Sequence, residues 1–247
     1  MSSTSTDSLA APVQGFQFQQ FFIAQDRCAM KVGTDGVLLG AWVETEAAQS
    51  ILDIGTGTGV IAVMLAQRNE HALVHGVEID AEAAAQAAEN ILATLWADRL
   101  EARHYAIQDY ARDTEQRYDL IVSNPPFFTG GVLSQSENKT GVRHTVKLPH
   151  GDLLRATQTL LAPQGVFAVV LPLLEGLRFV EMARSYRLYC ERMTEVRTKA
   201  GKPISRLLLQ FTRHIPDAVR KDELIIQEEE TNNWTPAYRA LTSGFYL

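Results

Sequence analysis

Apolar residues along the chain come in short runs that end in acidic residues, glycine or proline, separated by stretches with helical spacing. Ser50 to Ile54 is such a run and leads into glycines, the pattern of a buried parallel strand, and the spacing predicts a following helix from Thr58 to about Arg68. The alternation then repeats. Ala72 to Val77 predicts a second strand, and Asp80 is placed to cap an Ala-rich helix from Ala81 to about Leu95 through the free N–H groups of its first turn. Further strands are expected over Glu101 to Ile107, Tyr118 to Ser123 and Val166 to Leu171, the last after a helix from Asp152 to Leu161 and a Pro163–Gly165 turn. Arg187 to Arg197 and Ile204 to Arg213, joined by Lys199-Ala-Gly-Lys-Pro203 with no helix between them, predict an antiparallel hairpin. The expected fold is therefore α/β, doubly wound, with a mostly parallel seven-stranded sheet that ends in a C-terminal hairpin. Phe127 to Leu148 has no clear periodicity and is long for a loop in a compact domain, as lids and binding segments are.

Composition narrows the class. The chain has 247 residues, 46% hydrophobic and 21% charged, enough for the core of one α/β domain. No run approaches the roughly 18 apolar residues of a membrane span. Met1 to Asp7 is rich in Ser and Thr and lacks a basic-then-apolar signal pattern, so a cytoplasmic protein with no membrane partner is expected. Cys28 and Cys190 have no metal-ligand spacing around them, which argues against a disulfide framework and against bound metal. The net charge of −6 argues against indiscriminate nucleic-acid binding, but it hides an asymmetry. Arg178 to Arg213 holds nine Lys/Arg against three acids, a net of +6, which leaves −12 for the remainder. A phosphate backbone would find its counter-charge mainly there, and Arg197, Lys199 and Lys202 are the candidate RNA contacts.

Asp53-Ile-Gly-Thr-Gly-Thr-Gly59 stands at the carboxyl end of the first core strand, where open α/β sheets bind ligands. Its glycines, Gly55, Gly57 and Gly59, do not match the G-x-G-x-x-G dinucleotide spacing, and no Lys-Ser/Thr pair follows to make a phosphate loop. Glu78 closes the second strand about 20 residues on, where a carboxylate accepts both hydroxyls of a ribose. Asp109, past the third strand, is placed to accept from an adenine amino group, and Asp53 puts a carboxylate beside the loop that suits an ammonium better than a pyrophosphate. Together they describe a nucleoside with a cationic amino-acid end, as in S-adenosylmethionine.

Asn124-Pro-Pro-Phe127 follows the fourth strand directly. Pro125 and Pro126 fix two φ angles and remove two N–H groups, which leaves carbonyl acceptors without competing donors. The Asn124 side chain adds an amide oxygen and an NH2. Two such acceptors holding the hydrogens of an exocyclic amine would localise its lone pair for attack, and Phe127 would stack on the base.

These features resemble the amino-methyltransferase branch of the class I S-adenosylmethionine methyltransferases, whose signature is N/D-P-P-Y/F/W. The stretch from Phe16 to Trp42, Asn-Pro-Pro-Phe-Phe128 and the Gly201-Lys-Pro203 turn are similar to the bacterial valine-tRNA adenine-N6 methyltransferases. The resemblance implies methylation of the adenosine 3′ of the anticodon in valine tRNA; a monomer is expected. It also implies that Lys31-Val-Gly-Thr-Asp-Gly36 covers the methionine end of the cofactor, with Lys31, Thr34 and Asp35 as contacts. The expected organisation is a flexible extension over 1–15, a segment covering the cofactor site over 16–49, the methyltransferase core over 50–215 and a tail packed on it over 216–247. The same tetrapeptide occurs in ribosomal RNA amino-methyltransferases and protein-glutamine methyltransferases. The former stay open; the latter would be expected to carry a larger helical N-terminal domain. A non-catalytic RNA-binding protein on this fold would have little reason to carry Asp53, Glu78, Asp109 and Asn124 together.

Overall fold

The computed structural model describes residues 13–126 and 148–246. Phe127 and all but the last residue of the 127–148 segment, together with most of the 1–15 extension, lie outside them. Two short strands, β1 (Gly15–Gln17) and β2 (Phe22–Ala24), pair with each other, and α1 (Thr34–Trp42) follows. The core then runs β3 (Ser50–Ile54), α2 (Val60–Arg68), β4 (Leu73–Glu78), α3 (Ala81–Leu92), β5 (Leu100–His104), α4 (Ile107–Asp113) and β6 (Tyr118–Ser123). After α5 (His150–Leu160) come β7 (Leu161–Pro172), α6 (Leu173–Arg184), β8 (Tyr189–Arg197) and β9 (Ile204–Thr212). The chain closes with β10 (Arg220–Ile225) and α7 (Pro236–Thr242).

The main sheet has the order β10-β8-β9-β7-β6-β3-β4-β5. Strands β3 to β7 are mutually parallel, and β9 runs antiparallel to both β7 and β8, so the expected hairpin is present. Among the described residues the sheet has eight strands where seven are expected. The added strand is β10, parallel to β8, and its first four residues are exposed. Four consecutive charges, Arg220 to Glu223, hide it from a hydrophobic pattern, and the same charges blunt the sheet edge against further pairing. A second correction concerns Ile107, which was expected to end a strand and instead opens α4. The Pro163–Gly165 turn is absorbed into β7, where its register with β6 shifts.

Alternating side chains divide the sheet's burial between two apolar clusters. On β7, Ala168 and Val170 face the cluster that holds α1 and α2, while Phe167, Val169 and Leu171 face the cluster that holds α5 and α6. Chain topology reverses between β3 and its neighbours β4 and β6, which opens a crevice at the carboxyl ends of those strands. Among the described residues no helix is long and apolar enough to cross a membrane.

Candidate active site

The crevice holds a cavity of about 670 Å³, lined by Gly55 and Gly57 on one side and by Asn124, Pro125 and Pro126 on the other. The loop's conformation explains its glycines. Gly55, Gly57 and Gly59 have φ of 71°, 55° and 82°, left-handed backbone that other residues rarely adopt. A Cβ at Gly55 or Gly57 would meet no protein atom within 4 Å, so both open a cradle in which a ligand can touch backbone. Gly59 instead lies against Ala87 of α3, where a Cβ would come within 3.4 Å.

Glu78 ties this loop to the end of β4. One carboxylate oxygen accepts the Gly57 N–H at 2.9 Å and the other accepts the Asp80 N–H at 3.0 Å. Asp80 caps α3 as expected, accepting from the Ala83 N–H. The Ser123 hydroxyl donates to the Ile54 carbonyl at 2.8 Å, which joins the tips of β6 and β3 and sets Asn124 beside the glycine loop. Gly36 in the first turn of α1 faces Asn124, with room for a Cβ 3.7 Å from the amide nitrogen.

Asp53 is fully buried behind the loop and does not line the cavity. Its Oδ2 accepts from the Thr56 hydroxyl at 2.7 Å, while Oδ1 has no partner among the described residues. Burial pushes its carboxyl up to about 7, against the pull of the Thr56 hydrogen bond. The carboxylates on the cavity wall are Asp26, Glu78 and Asp80, and Asp53 lies beneath the loop. Three wall carboxylates still favour a cation over a pyrophosphate.

Other expected contact residues stand off the described lining. Asp109 pairs with Arg112 one turn along α4, at 2.7 Å, and is absent from the lining, where Gln108 stands instead. Residues three apart on a helix are neighbours, which favours this pair. Lys31, Thr34 and Asp35 do not line the cavity either. Lys31 donates to Gln14, Thr34 opens α1, and Asp35 accepts from Arg206 Nε at 2.8 Å. The N-terminal wall is formed by Asp26 to Met30. Cys28 belongs to it, and burial pushes its thiol up to about 11.

That wall is held by two residues that pattern reading passed over, Gln86 and Asn90, on the buried side of α3 with 0% and 4% exposure. Gln86 accepts the Arg27 N–H and donates to Asp26. Asn90 accepts the Ala24 N–H and donates to the carbonyls of Ala24 and Thr58, so one amide joins the N-terminal wall to the glycine loop. The available signal was two amides four residues apart on the same stripe as Ala83, Ala87 and Ile91, where apolar residues belong.

Part of the basic segment is engaged within the protein. Arg197 pairs with Glu223 of β10 and lies 3.9 Å from Glu195, and it donates to the Lys202 carbonyl. The Lys199 ammonium donates to the Glu229 carbonyl, and the Gly201 N–H to the Glu229 carboxylate. Arg192 stacks on Trp42 and pairs with Glu44 and Asp222.

Similarity to known proteins agrees with this geometry. The chain is 42% identical, over 100% of its length and 99% of the relative's, to a tRNA1(Val) (adenine(37)-N6)-methyltransferase of Pectobacterium carotovorum. It is 45% identical to the protein of that name in Cronobacter sakazakii, over 94% of this chain and 95% of that one. In Trichodesmium erythraeum the identity is 44%, over 94% and 97%. A crystal structure described as a predicted O-methyltransferase from Agrobacterium tumefaciens superposes with a TM-score of 0.67, covering 85% of this chain and 96% of that one at 19% identity, a likeness of fold. Residues 28–172 match the model of the methyltransferase small domain, and the chain belongs to that family.

Proposed function

We propose that the chain transfers a methyl group from S-adenosylmethionine to the exocyclic N6 of an adenosine in tRNA, the adenosine 3′ of the anticodon in valine tRNA. The observation that carries this reading is that Asn124, Pro125 and Pro126 share one cavity with the glycine cradle and Glu78. Relatives of 41–45% identity over nearly their whole length, named for that activity, support it.

The residues fit S-adenosylmethionine: the open cradle at Gly55 and Gly57 admits a ligand against backbone, Glu78 keeps lone pairs for ribose hydroxyls, and the wall carboxylates suit a cationic amino-acid end. S-adenosylmethionine supplies an electrophilic methyl group on a sulfonium. Asn124 Oδ1 and the Pro125 carbonyl accept the two hydrogens of the target amine, which draws its nitrogen toward tetrahedral geometry and frees its lone pair. Neither proline can donate, so no N–H competes for those acceptors. No residue need act as general base, because the methylated amine loses its surplus proton to water afterwards. The rate comes chiefly from alignment, with reacting atoms held about 3 Å apart. An anticodon-loop base suits this corner because it leaves its stack at little cost. Lys199 and Lys202 meet backbone phosphate, with Arg197 bracing their turn. The enzyme acts as a monomer in the cytoplasm.

Incubation with labelled S-adenosylmethionine and unmodified bulk tRNA, followed by digestion to nucleosides, should yield N6-methyladenosine. Label in another nucleoside, or in protein, would contradict the proposal.

A further inference from the structure

A second hollow, of about 420 Å³, lies outside the crevice and is lined by Asn232, Asn233, Trp234 and Arg239. The chain builds it with the loop between β10 and α7, closed where Gln227 pairs with Trp234 and where the Glu228 N–H donates to the Asn233 carbonyl. Trp234 is 37% exposed, and its ring is steadied from within by Tyr238 and Tyr246, with centroids 5.3 and 4.8 Å away. An aromatic plane already held in place gives up little freedom when a ligand stacks on it.

The polar groups beside the indole are of the kind that meet the edge of a base. Asn232 and Asn233 are exposed, and their side-chain amides make no hydrogen bond among the described residues. Each amide offers both an acceptor and an NH2. Arg239 is held by the Trp234 carbonyl at 2.8 Å and by Glu228 at 3.7 Å, so its charge is already answered. Three consecutive acids, Glu228 to Glu230, border the hollow and disfavour a phosphate in it, which leaves a flat, uncharged ligand.

The same loop is fastened to the turn that carries Lys199 and Lys202. The Lys199 ammonium donates to the Glu229 carbonyl at 3.1 Å, and the Gly201 N–H donates to the Glu229 carboxylate at 3.2 Å. A site for a base and a site for backbone phosphate therefore adjoin, as the two parts of one unpaired nucleotide do.

We infer that this hollow is a second nucleobase site, in which Trp234 stacks on an unpaired base of the substrate RNA other than the adenine that is methylated, and Asn232 and Asn233 meet that base's edge. Its residues do not line the crevice, so it acts on RNA affinity and not on methyl transfer. The inference rests on the reading of tRNA as substrate.

The test uses the full-length protein and unmodified valine tRNA assembled from two synthetic halves. Trp234→Ala should raise the Kd for this RNA, measured by filter binding, by about 5- to 100-fold, the worth of one stacked base. Its kcat and its Kd for S-adenosylhomocysteine should stay within about 2-fold of wild type. The RNA is then made abasic at one unpaired position at a time, the target excepted. One such position should weaken binding by wild type and not by Trp234→Ala, as expected of two groups that act on each other. Should Trp234→Ala fail to fold, Asn232→Ala with Asn233→Ala takes its place, since those side chains brace nothing within the protein; it should raise the Kd by about 3- to 10-fold. If every abasic RNA weakens wild type and variant alike, the inference is overturned and the proposed function stands. A wild-type protein that does not bind the intact tRNA overturns both.

Discussion

Glu78 accepts the Gly57 N–H at 2.9 Å, and so the end of β4 holds the crown of the loop that follows β3. The bond joins two adjacent parallel strands at the point where a ligand must enter. Glu78→Gln puts an NH2 against one of the two N–H groups that Glu78 now receives. We predict a rise of about 10-fold or more in the Kd for S-adenosylhomocysteine, read by calorimetry. Unchanged affinity would remove Glu78 from the binding set.

Asn124 is expected to act on the reacting amine and not on the cofactor. Asn124→Ala should lower kcat by about 10²-fold or more, by analogy with loss of one preorganised polar contact at a reacting centre. Its Kd for S-adenosylhomocysteine should stay within about 3-fold of wild type. Near-normal turnover in single-turnover assays would refute the assignment.

The buried Asp53 makes stability depend on pH. Its folded carboxyl sits at about 7 against 3.8 for the free side chain, so between those values the native state binds more protons than the unfolded one. Stability must then fall as pH rises through that window, with the loss complete above about pH 7 and on the order of a few kcal/mol. Asp53→Asn should flatten this contribution and melt higher than wild type at pH 8 in the absence of ligand. Parallel Tm profiles of the two proteins from pH 5 to 8 would count against the buried carboxyl as its source.

Asn90→Leu leaves the Ala24 N–H and two carbonyls without their partner. We predict a loss of roughly 1–3 kcal/mol in urea unfolding together with weaker cofactor binding, because the same amide braces both sides of the cavity. Weaker unfolding with an unaltered Kd would show that the wall stands without it.

Lys199→Glu with Lys202→Glu should raise KM for tRNA, with a shallower dependence on salt than wild type, since each phosphate contact releases counterions. Arg197→Gln should act mainly on stability, because its guanidinium already serves Glu223 and the Lys202 carbonyl. An unchanged KM in the double reversal would place the RNA face elsewhere.

Local pattern carried the fold a long way. β3 was expected at Ser50–Ile54 and is found there, and the Asp80 cap and the β8–β9 hairpin follow from residues close in the chain. The glycine spacing excluded a dinucleotide fingerprint, while the left-handed backbone of all three glycines is a finding of the structure. β10 escaped because an exposed edge strand need not be apolar.

What the residues determine by themselves is where ligand-bearing corners fall, since strand ends, left-handed turns and prolines act over a few residues. Partnership was decided only in three dimensions. Asp109 turned to Arg112, Asp35 to Arg206 and Arg197 to Glu223, while Gln86 and Asn90 hold the wall of the cavity. A charged or amide side chain reaches whichever complementary group packing brings within hydrogen-bonding distance, and for Asp35, Arg197, Gln86 and Asn90 that group lies tens of residues away or more, on an element that no local pattern specifies.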